Sequence, residues 1–333
     1  MKKISILGAG AFGFAMAKVI GENQIEKNIY IYDINCDSIA YIKRTRRHPV
    51  FHGKTKLPDN IMPTTDVKKA VSNADLLILA IPSKCVRAAI KGFKEHLPAG
   101  VVFLNVAKGL EAKTNMRVAE IVEQEIQGLE YEFCVLSGGM IAREVTLQNP
   151  LCADIACENI KTAKRVAKML ASNHLRIEST TDVIGVSLAG AFKNVIAIGA
   201  GIFDGLGYGE SSKSAFVSSV SEEIIPLAVK LGADNTTFGP GGQAWFGDLM
   251  TTCFGASRNR ELGELIGRGI KVKDAVDSMI NDNKSIEGYL TTKVVHNLLK
   301  KHNINTPLID HVYDVLYNNK QPSEFVVGFI KAT

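Results

Sequence analysis

Six cysteines occur in this 333-residue chain (Cys36, Cys85, Cys134, Cys152, Cys157 and Cys253), yet none forms a CxxC pair and no histidine stands at zinc-ligand spacing beside them. That excludes the common zinc modules and a metal site built on them, and reads instead as reduced thiols in a cytoplasmic protein. No apolar run is expected to reach the ~18 residues needed to cross a membrane. Met1 leads through two lysines into a short apolar stretch with no h-region of signal-peptide length. Linkers rich in Pro or Ser, internal repeats and low-complexity segments are all lacking. Charge of one sign is scarce too: 39 Lys and Arg stand against 34 Asp and Glu, a net +5. Neither nucleic acid nor membrane insertion is therefore expected, whereas an anionic small molecule is readily accommodated.

The hydrophobic share of 46% and charged share of 22% are those of an ordinary globular chain, and the length predicts two domains. Over the first 180 residues short apolar runs alternate with helical stretches. Lys3–Leu7, Asn28–Tyr32, Leu76–Ala80 and Val101–Val106 read as buried strands, with helices near 11–21, 35–47, 84–96 and 115–128. Phe133–Ser137, Ala153–Cys157 and Leu175–Glu178 extend the strand set. This pattern predicts an α/β fold: a doubly wound, Rossmann-like parallel sheet over 1–180 that binds a dinucleotide. From Thr181 the strand signal stops, and 181–333 is predicted to be an all-helical domain carrying substrate and catalytic residues.

Gly8-Ala9-Gly10-Ala11-Phe12-Gly13 directly follows the first strand and opens the first helix. Gly8 permits the tight turn, Gly10 lets the backbone approach a pyrophosphate, and Gly13 allows close helix–strand packing. Asp33, at the end of the second strand, is the acidic partner that this fingerprint requires. Its carboxylate suits the ribose hydroxyls of NAD and repels the 2′-phosphate of NADP. Two unit charges ~4 Å apart cost about 4 kcal/mol at an effective dielectric of ~20. NADH is therefore expected over NADPH, and the basic run Lys43 to Arg47 is read as a solvated helix face.

A lysine set among glycines and alanines marks the second half. At about 100° per residue, Ser187, Gly190, Lys193, Asn194, Ala197, Gly201 and Asp204 share one helical stripe, while Leu188, Phe192, Val195, Ile196 and Phe203 face the other way. Small neighbours allow close approach to the Lys193 ammonium, a candidate acid/base once partly desolvated. Lys108, at the carboxyl end of a strand, is placed to polarise a carbonyl or meet a phosphate. Asp248 can pair with a buried lysine, and Arg258 with Asn259 offers a donor fork for a phosphate or carboxylate.

In combination, ILGAGAFG, AIPS at Ala80 to Ser83, AKGLE, GAFKNVIAIGAGIFDGLGYG, GDLMTTC, SRNR and IEGY resemble the NAD(P)-dependent sn-glycerol-3-phosphate dehydrogenases along essentially the whole chain. The resemblance implies reversible hydride transfer between NAD(H) and C2 of dihydroxyacetone phosphate, feeding glycerophospholipid synthesis, in a cytoplasmic homodimer. It implies that Lys193 exchanges the proton at the C2 oxygen, helped by Lys108 and Asp248. Lys108, Gly138, Asn194, Asp248, Thr252, Ser257, Arg258 and Asn259 would surround the substrate. Gly8, Gly10, Ala11, Phe12, Gly13, Asp33, Pro82, Lys108, Ala142, Arg258 and Glu287 would meet the cofactor. The chain departs from the family at Gly139 and Met140, where a proline and a small hydroxyl residue are usual, at Ser219 in place of an arginine, and at Trp245 before Asp248. Two alternatives stay open on the residues: a related dehydrogenase for another phosphorylated or carboxylated hydroxy substrate, and a non-catalytic dinucleotide sensor.

Overall fold

The computed structural model describes residues 1–282 and 284–331. The chain divides into two compact units, one comprising Met1–Ala107 with Val118–Val183, the other Lys108–Arg117 with the chain from Ile184 onward. Lys108–Arg117, expected within the first domain, thus groups with the helical unit.

The first unit is an eight-stranded sheet: β1 (Lys3–Leu7), β2 (Asn28–Tyr32), β3 (Ile61–Thr64), β4 (Leu76–Leu79), β5 (Val101–Asn105), β6 (Tyr131–Ser137), β7 (Leu151–Cys157) and β8 (Leu175–Thr180), in the order β3-β2-β1-β4-β5-β6-β7-β8. β4 and β5 are buried at every position, as strands between two helical layers must be, and hence are apolar throughout except for Asn105 at the end of β5. Helices Ala11–Asn23, Cys36–Thr45, Ser83–Phe93, Val118–Glu125 and Ile160–Leu170 supply the crossovers and the last connection.

Two features depart from expectation. β3, absent from the sequence reading, contains Pro63, which has no N–H for a ladder; it is tolerated because β3 is an edge strand paired only with β2. The sheet is not wholly parallel either: β6 and β7 run antiparallel, with Cys134 opposite Cys157 and Ser137 opposite Asp154, before β8 resumes parallel to β7.

The second unit is helical among the described residues. Its centre is the 23-residue helix Val183–Gly205, whose mean hydropathy of 1.7 makes it long and apolar enough to cross a membrane by length and composition, correcting the expectation that no such run exists. Here 89% of that apolar window is buried inside the fold. Every residue from Leu188 to Phe203 is buried, so the helix has no solvent face and the predicted two-sided division is replaced by packing all round.

One contact fixes how the long helix packs. Gly201 and Gly205 meet the Arg260 and Glu264 carbonyls of helix Arg258–Gly267, and Gly263 and Gly267 of that helix meet the Ile198 and Ile202 carbonyls in return. A β-carbon at any of the four would collide with backbone. Glycines four apart lie on one helical face, so the two backbones touch and Asn259 is carried against the long helix.

Candidate functional site

The glycine-rich loop is built as its spacing predicts. Gly8 takes a φ of +106°, a left-handed conformation that favours glycine. A β-carbon at Gly8 would meet the Ala80 carbonyl, and one at Gly13 would meet the Gly8 carbonyl, whereas at Gly10 nothing lies within 4 Å. Gly8 and Gly13 are thus explained by contacts within the protein, while Gly10 is open. Gly10 caps helix Ala11–Asn23 without a side-chain bond, leaving first-turn N–H groups at Ala11 and Phe12 available to an anion. Asp33 holds the loop: its Oδ2 accepts from the Ala9 N–H at 2.7 Å and its Oδ1 from the Asn35 N–H at 2.9 Å.

The basic run splits. Lys43 and Arg44 are exposed, as a solvated face requires. Arg46, in contrast, turns back to donate to the Ile61 carbonyl at 2.8 Å and to the Pro58 carbonyl. Pro82 caps helix Ser83–Phe93 after β4, and Ala142 opens helix Ala142–Thr146. Gly138 has a packing reason of its own, since a β-carbon there would sit 2.8 Å from the Ala153 Cα.

The helical unit assembles the remaining polar residues around one carboxylate. Asp248, 2% exposed, stands at the first turn of helix Asp248–Phe254. Its Oδ2 accepts from Lys108 Nζ at 2.6 Å, and its Oδ1 lies 3.2 Å from Lys193 Nζ. Lys193 also donates to Thr252 Oγ1 at 2.8 Å, and the Thr252 hydroxyl donates to Asp248 Oδ1 at 3.1 Å. Asn194 Nδ2 donates to the Lys108 carbonyl at 2.9 Å, anchoring the loop that carries the second lysine. Asn194 Oδ1 accepts from Asn259 Nδ2 at 2.8 Å, while Asn259 Oδ1 accepts from the Gly288 N–H at 3.0 Å.

Burial pushes the Lys193 ammonium below its ordinary value, and Lys108 adds to this; the Asp248 carboxylate resists it. Burial alone would raise Asp248, but the two ammonium groups hold it below the usual carboxylate range. Adjacent Cys253 is pushed up to about 12 by its burial, so it stays a neutral thiol. The arrangement keeps one anion between two cations in a space nearly free of solvent.

Arg258 is exposed at the first position of its helix, beside buried Asn259. Ser257, assigned to the substrate by resemblance, caps that helix: its side chain accepts from the Arg260 N–H at 3.4 Å. Glu287 begins helix Glu287–Lys301. Trp245, the departure before Asp248, belongs to the core: it is 2% exposed and packs edge-on against Phe238 at 5.1 Å. Three positions escaped the sequence reading. Gly288 lies against Asn194 and Asn259, where a β-carbon would stand 2.7 Å from the Asn194 carbonyl oxygen; the signal was the glycine inside IEGY. His48 and His52 contact the glycine-rich loop at Ala9 and Ala11, with no local pattern to announce them.

The description "NAD-dependent glycerol-3-phosphate dehydrogenase N-terminus" matches residues 3–163, and its C-terminus counterpart matches 182–327. The glycerol-3-phosphate dehydrogenase [NAD(P)+] of Bacillus pumilus is 35% identical over 328 residues, 98% of this chain and 93% of the relative. That of Bacillus subtilis is 35% identical over 323 residues, 96% and 92% of the two chains. The crystal structure of glycerol-3-phosphate dehydrogenase from Coxiella burnetii superposes with a TM-score of 0.91 at 28% identity, covering 99% of this chain and 98% of that one. With both halves matched and the relatives spanned almost end to end, the chain belongs to the NAD-dependent glycerol-3-phosphate dehydrogenase family.

Proposed function

We propose that this NAD(P)-dependent oxidoreductase interconverts sn-glycerol 3-phosphate and dihydroxyacetone phosphate with Lys193 as the proton-exchanging group and NADH as the preferred cofactor. The observation that carries the reading is the buried Lys108–Asp248–Lys193 chain of contacts at 2.6 and 3.2 Å. Burial beside a second lysine lowers the proton affinity of Lys193, which is the tuning an acid/base group needs.

The open space at Gly10 and the free first-turn amides fit a dinucleotide diphosphate, and Asp33 fits its ribose hydroxyls. When bound, the nicotinamide supplies or takes up the hydride at C2. In the reducing direction the Lys193 ammonium gives its proton to the C2 oxygen as negative charge develops there. Lys108 adds a second positive charge near that oxygen, and Asp248 keeps both lysines oriented. Arg258 and Asn259 hold the substrate phosphate through charge-assisted and amide hydrogen bonds. The lowered proton affinity of Lys193 means that reduction, which needs the ammonium, slows as pH rises through its pKa, below the ordinary 10.5; oxidation, which needs the free amine, gains over the same interval.

Lys193→Ala tests the assignment. Turnover with dihydroxyacetone phosphate should fall roughly 10² to 10⁴-fold, the scale of general acid/base catalysis, with NADH binding little changed. Near-normal turnover would remove Lys193 from the mechanism. The cytoplasmic location, the supply of glycerophospholipid synthesis and assembly as a homodimer belong to the same proposal; light scattering of the purified chain checks the last.

A further inference from the structure

The sheet unit carries contacts on the glycine-rich loop that the proposed function leaves unused. His48 is buried, and its Nδ1 lies 3.0 Å from the backbone nitrogens of both Val50 and Phe51. Backbone N–H groups only donate, so Nδ1 is the acceptor and the ring proton resides on Nε2. Nε2–H then donates to the Ala9 carbonyl at 2.9 Å. On its other side, the Ala9 N–H donates to Asp33 at 2.7 Å. Ala9 lies between Gly8 and Gly10, the turn glycine and the one facing open space, so the residue that aims the loop is gripped at both of its polar atoms.

We infer that His48 is a positioning residue for the glycine-rich loop, holding it in its dinucleotide-accepting shape only while the imidazole is neutral. The inference rests on the reading of this loop as the dinucleotide cradle. A protonated ring would carry a hydrogen on Nδ1 facing two N–H groups, both of which would lose their acceptor, and the segment His48–Phe51 would have to move, taking the Ala9 bond with it. The charged groups facing the ring are few. Asp33 favours the protonated form; His52, its ring centroid 6.4 Å away, opposes it when charged. Arg46 and Arg47 precede it in the chain, and the first helix presents Phe14, edge-on at 5.6 Å. Burial dominates these and pushes His48 below its ordinary value. His52 differs in kind: its Nε2 meets the Ala11 carbonyl at 2.7 Å and its Nδ1 meets Thr146 Oγ1 at 3.3 Å. The Thr146 oxygen can accept a proton-bearing Nδ1, so charging His52 keeps both contacts.

The test is ADP-ribose binding by titration calorimetry from pH 5 to 8, with the ¹⁵N spectrum of the imidazoles recorded alongside. Affinity should be flat at the top of the range and fall by up to tenfold per pH unit below the His48 pKa, which lies under about 6.5. His48→Gln, which keeps a donor and cannot titrate, should flatten the profile whatever its affinity at pH 8. His48→Ala should weaken binding about tenfold at pH 8. A wild-type profile parallel to that of His48→Gln overturns the inference. So does a His48 ring protonated at Nδ1 at pH 7, a reading that needs no variant to fold. Failure of the wild-type chain to bind ADP-ribose at pH 8 would instead overturn the reading of the loop, and the inference with it.

Discussion

Replacing Asp248 with asparagine keeps the shape of the site and removes its only central anion. Lys108 Nζ at 2.6 Å and Lys193 Nζ at 3.2 Å then face a neutral amide, with side chains 17% and 9% exposed. At about 3 Å and an effective dielectric of ~20, each lost pair corresponds to about 5 kcal/mol of Coulomb attraction before the cost of desolvation is set against it. Removing one partner of a buried pair typically costs about 3–5 kcal/mol, because charge is left uncompensated. Lys193 has a way out: of the influences on its proton affinity, burial and Lys108 lower it while Asp248 opposes them. Without Asp248 nothing large opposes the fall, and Lys193 loses its proton nearer neutral pH. The expected result is a reduction rate down by about 10² to 10³-fold at pH 7, with the loss deepening as pH rises.

The assay is kcat for dihydroxyacetone phosphate reduction against pH in the parent, Asp248→Asn, Lys193→Ala and the double variant. If Asp248 acts through Lys193, the double variant should be hardly slower than Lys193→Ala alone, because interacting groups do not contribute additively. A parent-like pH profile in Asp248→Asn, or losses that multiply in the double variant, would refute the reasoning.

Arg258→Ala should lower kcat/KM for dihydroxyacetone phosphate by about tenfold or more, from charge-assisted bonds contributing about 1.5–3 kcal/mol. The loss should be much smaller with unphosphorylated dihydroxyacetone; equal losses would reassign Arg258 to the fold or cofactor. Catalytic efficiency with NADH should exceed that with NADPH at least about tenfold, ~1.4 kcal/mol, with Asp33→Gly narrowing the ratio and added Ile34→Arg reversing it. Because the Asp33 carboxylate also holds the Ala9 and Asn35 amides, Asp33→Gly should weaken NADH binding too, measured by fluorescence titration. Gly263→Ala places a methyl against the Ile198 carbonyl and should cost about 1–3 kcal/mol in denaturant unfolding, with a raised KM as Asn259 shifts; unchanged stability and KM would mean that the helix crossing is looser than it stands.

Much of the molecule was legible in the chain because its signals are local. The first strand, the glycine-rich turn and the helix after it lie within about twenty residues, and Gly8 and Gly13 answer to contacts inside that stretch or beside it. β3 was illegible for the opposite reason: four residues with a proline carry no strand signal of their own, and only pairing with β2 makes Ile61–Thr64 extended. The reversal between β6 and β7 was hidden because a buried run reads alike in either direction. Lys43 to Arg47 is uniform as a string, yet Arg46 takes a left-handed φ of 60° at the helix end and points back to backbone carbonyls. Trp245 was visible in the string only as a departure from the family; the placement of Phe238 shows that its bulk belongs to the core.

The proposed proton-exchanging group, Lys193, was half legible, and the missing half explains how the lysine is tuned. A lysine among small residues marks where something can come close. Burial is the largest influence on its proton affinity, and the charges that modify it come from far along the chain: Asp248, 55 positions after it, and Lys108, 85 positions before it. Neither reaches Lys193 through its own element alone. The Lys108 loop is tied by its carbonyl to Asn194, the residue next to the lysine. Asn194 is in turn held by Asn259, delivered by the glycine crossing, and Asn259 is held by the Gly288 amide. A shift of any of these would change the charge around Lys193 without touching it. The glycines of the long helix therefore bear on chemistry as well as packing: they let a neighbouring backbone close enough for an amide to fix the loop that carries the second cation.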